Sequence, residues 1–176
     1  TDGSLISTTG KFENVSRTKT SGFDFGGSSR INTRYGRLDL GLNATYLLDL
    51  KNFSSTLHDY GDNLAGRYGY SKTVANLTAS LQTGDFINGL RLVYNSKTSL
   101  NTDYFDDTYT QAGCKAKKWS VDECQVKAFE RLDYNISYSG IKNLTLSMYL
   151  RNVTNRRPPV DLRAFNSGGG QVIPQD

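Results

Sequence analysis

This chain has few of the residues that usually betray a protein's class. Its 176 residues include two cysteines, three prolines, one histidine, one tryptophan and one methionine. No run approaches the roughly 18 consecutive apolar residues that a membrane-crossing helix needs, and only 36% of the chain is hydrophobic. Helical membrane spans are excluded. A membrane barrel is not, because barrel strands give half their positions to a polar interior. Two cysteines without a nearby histidine cannot supply the four ligands of a structural zinc site. The lone His58 has Ser54, Ser55, Asp59 and Asp62 only as sequence neighbours in one long connecting segment. A Ser-His-Asp hydrolase needs those groups on converging rigid elements, so no enzymatic role and no cofactor are expected. The charge excess of +4 is slight and its cations are scattered. A nucleic-acid binder gathers them in a patch with exposed aromatics, so none is expected as a partner.

What the chain does have is alternation. Leu38, Leu40, Leu42, Ala44, Tyr46, Leu48 and Leu50 occupy every second position, with Asp39, Gly41, Asn43, Thr45, Leu47 and Asp49 between them. A period of two marks a strand with one apolar and one polar face. The run is longer than the usual strand of about 5 or 6 residues and long enough for the 9–11 or so that cross a bilayer when tilted. Residues 73–83 repeat the pattern through Ala75, Leu77, Ala79 and Leu81, against Asn76, Thr78, Ser80 and Gln82. Leu90, Leu92 and Tyr94 follow, opposed by Arg91, Asn95 and Lys97, with Val93 out of pattern. From 127 to 138, Ala128, Leu132, Tyr134, Ile136 and Tyr138 oppose Arg131, Asp133, Asn135 and Ser137. Leu144, Leu146, Met148 and Leu150 close the series. Residues 11–30 read as two strands, or as one kinked at Gly22, with Phe23 and Phe25 as the outward pair.

The spacers alternate in length: short at 31–36, 84–89 and 139–143, long at 51–72, 101–126 and after 152. An antiparallel meander then puts every short turn at one end and every long loop at the other, as in outer-membrane barrels. The predicted fold is all-β: part of a transmembrane β-barrel with short periplasmic turns and long extracellular loops. Cys114 and Cys124 fall in one external segment, where a disulfide closing a small loop is expected. The lysines and acids around them argue against two buried thiols. Seven Asn-x-Ser/Thr triplets occur, but Asn43, Asn76 and Asn135 fall on polar strand faces and read as lumen composition rather than glycosylation sites.

Among candidate site residues, the external loops offer Tyr104, Phe105, Asp106, Tyr109 and Trp119, a mixture suited to a small ligand. Arg156 and Arg157 are candidate anion contacts, and Arg91, Arg131, Asp133 and Arg151 are candidate lumen-lining residues. Asp103, Asp106 and Asp107 fail the EF-hand spacing, and Ser167-Gly168-Gly169-Gly170 lacks the Lys-Ser/Thr and the helix of a P-loop, so no metal or phosphate site is expected. Lys115, Lys117 and Lys118 join the arginines in giving the loops a basic tint, which suits an anionic ferric complex or the acidic head groups of lipopolysaccharide.

Three stretches carry a family resemblance: Phe129-Glu130-Arg131-Leu132-Asp133-Tyr134-Asn135-Ile136-Ser137-Tyr138, then Gly140-Ile141-Lys142-Asn143-Leu144-Thr145-Leu146, then Asn152-Val153-Thr154-Asn155-Arg156-Arg157-Pro158-Pro159. With Asn14-Val15-Ser16-Arg17-Thr18, Ser21-Gly22-Phe23-Asp24 and Thr83-Gly84-Asp85-Phe86, this order resembles the C-terminal barrel of TonB-dependent outer-membrane receptors. The resemblance implies an energised importer in the bacterial outer membrane. In that family a barrel of about 22 strands encloses a plug; the plug contacts TonB and releases a scarce nutrient such as a ferric siderophore. The plug and the final strand of that pattern are not among these residues, so 1–176 is expected to be a partial barrel domain of late strands. Its expected partners are the rest of the barrel and the plug, TonB through that plug, membrane lipid and lipopolysaccharide, and a small-molecule ligand. Two rivals remain: a secreted soluble β-sandwich that binds carbohydrate or another ligand, and an enzymatic outer-membrane barrel, which lacks a convincing catalytic constellation.

Overall fold

The computed structural model describes residues 17–54, 58–100, 115–116, 118 and 124–159. Its strands in chain order are β1 (Thr18–Thr33), β2 (Gly36–Ser54), β3 (Asp59–Tyr60), β4 (Thr73–Thr83), β5 (Phe86–Asn95), β6 (Thr98–Ser99), β7 (Gln125–Val126), β8 (Phe129–Ile141) and β9 (Leu144–Leu150). The long strands form one antiparallel sheet in the order β1-β2-β4-β5-β8-β9, with β3 on β2 and a separate β6–β7 ribbon. Each long strand hydrogen-bonds only to its neighbours in sequence, as the alternating loop lengths predict.

The register sorts the side chains into two faces. Leu42, Leu77, Leu92 and Leu132 form one transverse row, and Leu38, Leu81, Asn88, Ile136 and Met148 another on the same face. This face is open: Leu77 is 48% and Leu146 53% exposed. Among the described residues no second sheet packs against it, whereas a soluble sandwich would bury it. Asn88 is a polar residue well within this face, as is Ser29 beside Leu40, with Glu130 beside Tyr94 at its loop end; Asn88 Oδ1 accepts a 2.7 Å hydrogen bond from Tyr134 Oη. That bond answers the need for every polar group in hydrocarbon to have an internal partner.

Aromatic rings bound the apolar face at both ends. Phe23 and Tyr46 share its row at the long-loop end, and Phe86 stacks on Tyr138 at 4.6 Å between centroids near the short turns. Between those rows β4 runs the ten steps from Thr73 to Thr83, about 33 Å of strand. At a tilt of about 40° this spans about 25 Å, the height of the apolar band of an outer-membrane barrel.

The short turns are tighter than the sequence reading has them. Only Arg34-Tyr35, Gly84-Asp85 and Lys142-Asn143 lie outside the strands, because pairing continues to Thr33, Thr83 and Ile141. Neighbouring turns are tied together: Thr83 Oγ1 donates to Tyr35 O at 2.6 Å, and Ser139 N to Asp85 O at 3.0 Å. Gly36 sits beside the first turn at φ 135°, where an added Cβ would lie 2.0 Å from Gln82 O. Gly36→Ala is expected to cost about 1–3 kcal/mol in backbone strain. A lowered urea midpoint of the full receptor would show it, with Gly27→Ala, whose added carbon meets nothing within 4 Å, as the near-neutral control.

β1 is one strand, irregular at Ser21/Gly22. Ser21 faces Asp49 and Gly22 faces Leu47, so Leu48 is the extra residue and the apolar alternation of β2 breaks there. Beyond Tyr46, β2 has outrun β4, leaving backbone groups that an edge must satisfy or cover. The following loop does so. Lys72 O accepts from Leu47 N, Asn63 Nδ2 donates to Leu48 O, Asn63 Oδ1 accepts from Leu50 N, and Leu50 O accepts from Leu64 N.

Candidate functional site

The other face of the sheet is polar and charged. Its rows include Ser28, Gly41, Thr78, Arg91 and Asp133, then Gly26, Asn43, Asn76, Val93 and Arg131 toward the long-loop end. Arg91, Arg131 and Asp133 therefore share this face. Arg151 follows β9 directly and is exposed. Asn43, Asn76 and Asn135 also lie on this face, where Arg91 Nη2 donates to Asn76 Oδ1 at 3.1 Å. Near the short turns Asp39 holds Arg30 Nε at 2.6 Å and Arg37 Nε at 3.1 Å. Near the loop end a shallow cavity of about 330 Å³ opens between Asp24, Asn43, Thr45 and Asn76.

Asp133 is the best-anchored residue of the polar face, with no exposed surface. Its Oδ1 accepts from Asn152 N at 2.8 Å, its Oδ2 accepts from Tyr149 Oη at 3.0 Å, and Arg131 Nε lies 3.2 Å from Oδ1. The carboxylate thereby ties β8 to the chain leaving β9. That exit is folded by Asn152 itself: its Oδ1 accepts from Arg156 N at 2.9 Å and its Nδ2 donates to Arg156 O at 3.0 Å. Asn152 and Asn155 adopt positive φ, 56° and 50°, which asparagine tolerates better than most residues. Arg156 reaches Glu130 at 3.6 Å, both side chains being about half exposed. Arg156 and Arg157 thus stand exposed at the long-loop end, with the Arg156 backbone held through Asn152 to a buried acid on the neighbouring strand.

The alternation of 127–138 puts Asp133 on the polar strand face, and the register has it there. The closure of Tyr149 and Asn152 over it is not visible in that alternation, and the only signal for it in the sequence is the Asn-x-x-Asn spacing at 152–155. Ala128 precedes β8 instead of joining its apolar face, and Glu130 takes that position. Val93, out of pattern in sequence, is buried on the polar face, as is Phe129 near the loop end. His58 is exposed at φ 51° in the loop before β3. Asp59 Oδ1 accepts from Tyr60 N, and Asp62 pairs with Arg67 at 3.2 Å. No group of three His, Cys, Asp or Glu side chains comes together among the described residues. Tyr104, Phe105, Asp106, Tyr109, Trp119 and Cys114, with Asp103 and Asp107, lie outside them.

A single antiparallel layer with an open apolar belt, aromatic borders, stitched short turns and a hydrogen-bonded polar face is the wall of an outer-membrane β-barrel. The family model described as TonB dependent receptor-like, beta-barrel, matches residues 1–153, and the chain belongs to that family. Its members are receptors and transporters of the bacterial outer membrane rather than enzymes, and in general terms they work with a plug, with TonB and with a ligand. Comparison with curated proteins gives no match, and comparison with solved structures gives none.

Proposed function

We propose that this chain forms late strands of an energised outer-membrane importer that takes up a scarce nutrient such as a ferric siderophore. The observation that carries the reading is the pairing of a lipid-suited face with a polar face whose arginines and carboxylates are fixed by named partners. A passage through the barrel needs such a wall, and a rigid one presents its charges to a ligand without reordering them. Arg157, with Arg156 beside it sharing its charge with Glu130, supplies positive charge at the long-loop end that attracts an anionic chelate. The external residues Tyr104, Phe105, Asp106, Tyr109 and Trp119 belong to the same reading as the first contacts of the ligand. So does a Cys114–Cys124 disulfide that stiffens their loop; it is supported by the burial of Cys124 and by the lack of any free cysteine among the described residues. The plug and the strands that close the barrel are assigned to other parts of the receptor.

The test is equilibrium binding of a panel of ferric siderophores to the full receptor, with uptake measured in cells with and without TonB. Alanine at Arg156 and Arg157 together with the five loop residues should weaken binding of the recognised chelate by about 30-fold or more. Uptake should stop without TonB. Unchanged affinity in the multiple variant would overturn the loop assignment, and TonB-independent uptake would overturn energised import.

A further inference from the structure

We propose that a largely apolar cleft at the long-loop end, carrying two lysines and bordering the apolar face, binds the phosphate of an outer-leaflet lipid headgroup. The cleft has a volume of about 550 Å³ and is lined by Lys72, Thr73, Ser96, Lys97 and Thr98 among others. Its position is set by the register. Thr73 pairs with Tyr46, which lies in the aromatic row that ends the apolar belt. Ser96 locks onto Thr73, its N donating to Thr73 O at 2.8 Å and its Oγ accepting from Thr73 N at 2.9 Å. The lip of the cleft is therefore continuous with the lipid-facing surface. Lys72 Nζ lies 5.5 Å from the centroid of the Tyr46 ring. A cation held over a ring at the edge of the apolar belt sits at headgroup level.

Two further observations point to an anion there. Arg30, Arg37, Arg67, Arg131 and Arg156 each have a carboxylate partner. Lys72 and Lys97 have none among the described residues, so two uncompensated ammonium groups line one concavity. Thr98 also lines it, only 7% exposed, and its hydroxyl makes no hydrogen bond among the described residues. Buried hydroxyls almost always have a partner, and a phosphate oxygen at this cleft supplies an acceptor. Two lysines suit a multiply charged phosphate, which they bind as point charges, better than a planar carboxylate, which favours the fork of arginine. The border with the Tyr46 row selects a phosphate carried on a lipid over one free in solution. This inference rests on the barrel wall and its orientation, not on which nutrient is imported.

The experiment is native mass spectrometry of the full receptor in detergent, titrated with bis-phosphorylated lipid A or its dephosphorylated form, with inorganic phosphate as competitor. The wild type should prefer the phosphorylated lipid by about 30-fold, roughly fivefold for each lysine. Lys72→Gln with Lys97→Gln should abolish that preference, and Lys72→Arg with Lys97→Arg should largely keep it. Thr98→Val should weaken it by about fivefold. Heat-modifiable migration on gels checks that each barrel is folded, and the exposed Lys97→Gln alone carries the test if the double variant fails to fold. A preference that survives the glutamine variants overturns the proposal. So does displacement of the lipid by inorganic phosphate at equal concentration, which would make the cleft a free-anion site.

Discussion

Asp133→Ala should destabilise the receptor by about 3–5 kcal/mol, the usual consequence of removing one member of a buried charged network. The carboxylate has no exposed surface and serves three donors, on Arg131, Tyr149 and Asn152. Alanine leaves the Asn152 N–H and the Tyr149 hydroxyl without that acceptor. Asp133→Asn keeps the shape and one acceptor oxygen, so its loss should fall between wild type and alanine. Urea unfolding of the full receptor in lipid vesicles would measure the order. Limited trypsin digestion gives an independent readout, since the turn after β9 is tethered through Asn152 N. Cleavage after Arg151 should quicken in the alanine variant, and an unchanged midpoint with unchanged cleavage would show that Asp133 is not the tie.

Leu77→Arg is expected to cost about 2–4 kcal/mol, the penalty for a cation on the lipid side near the bilayer midplane. Leu77 is 48% exposed and sits mid-strand in the row with Leu42, Leu92 and Leu132. Ser80→Arg, three residues on and beside Asp39 on the polar face, should be close to neutral. A soluble sandwich would also reject arginine at Leu77, but it would remain in solution without detergent. The pair of variants in vesicles, read with detergent dependence, separates a lipid-facing leucine from a core leucine. Equal tolerance at the two positions would overturn the lipid-facing assignment of Leu77, and a costlier Ser80→Arg would reverse the faces.

The strands that carry regular alternation were legible because each has one face against lipid and one against water, and β2, β4 and β9 show this most plainly. β1 was harder to read. All its residues are exposed and most are small or polar, so its position is set by pairing along β2 and not by its own pattern. Val93 and Phe129 defied the alternation because the polar face is not wet throughout; near the loop end both are buried. The first hairpin is hard to bound because Asn32-Thr33-Arg34-Tyr35-Gly36 has no Asn-Gly or Asp-Gly at its tip, the strongest local signal for a two-residue turn. Asn63 was invisible for a different reason. Its amide serves β2 backbone groups 13 and 15 positions earlier, and nothing local marks an asparagine for that task. Asp133 was placed on the correct face, but its closure by Tyr149 and Asn152 depends on a neighbouring strand.

The two ends of this wall differ in how much variation they tolerate. One rim consists of two-residue joints bonded to each other at Thr83–Tyr35 and Ser139–Asp85, so an inserted residue there has no slack to occupy and would disturb adjacent hairpins together. At the opposite rim the chain between β2 and β4 lies along an overhanging strand, and its ties include a side-chain amide. Lineages that change diet should therefore diverge by lengthening and rewriting that rim, while the stitched one keeps its length.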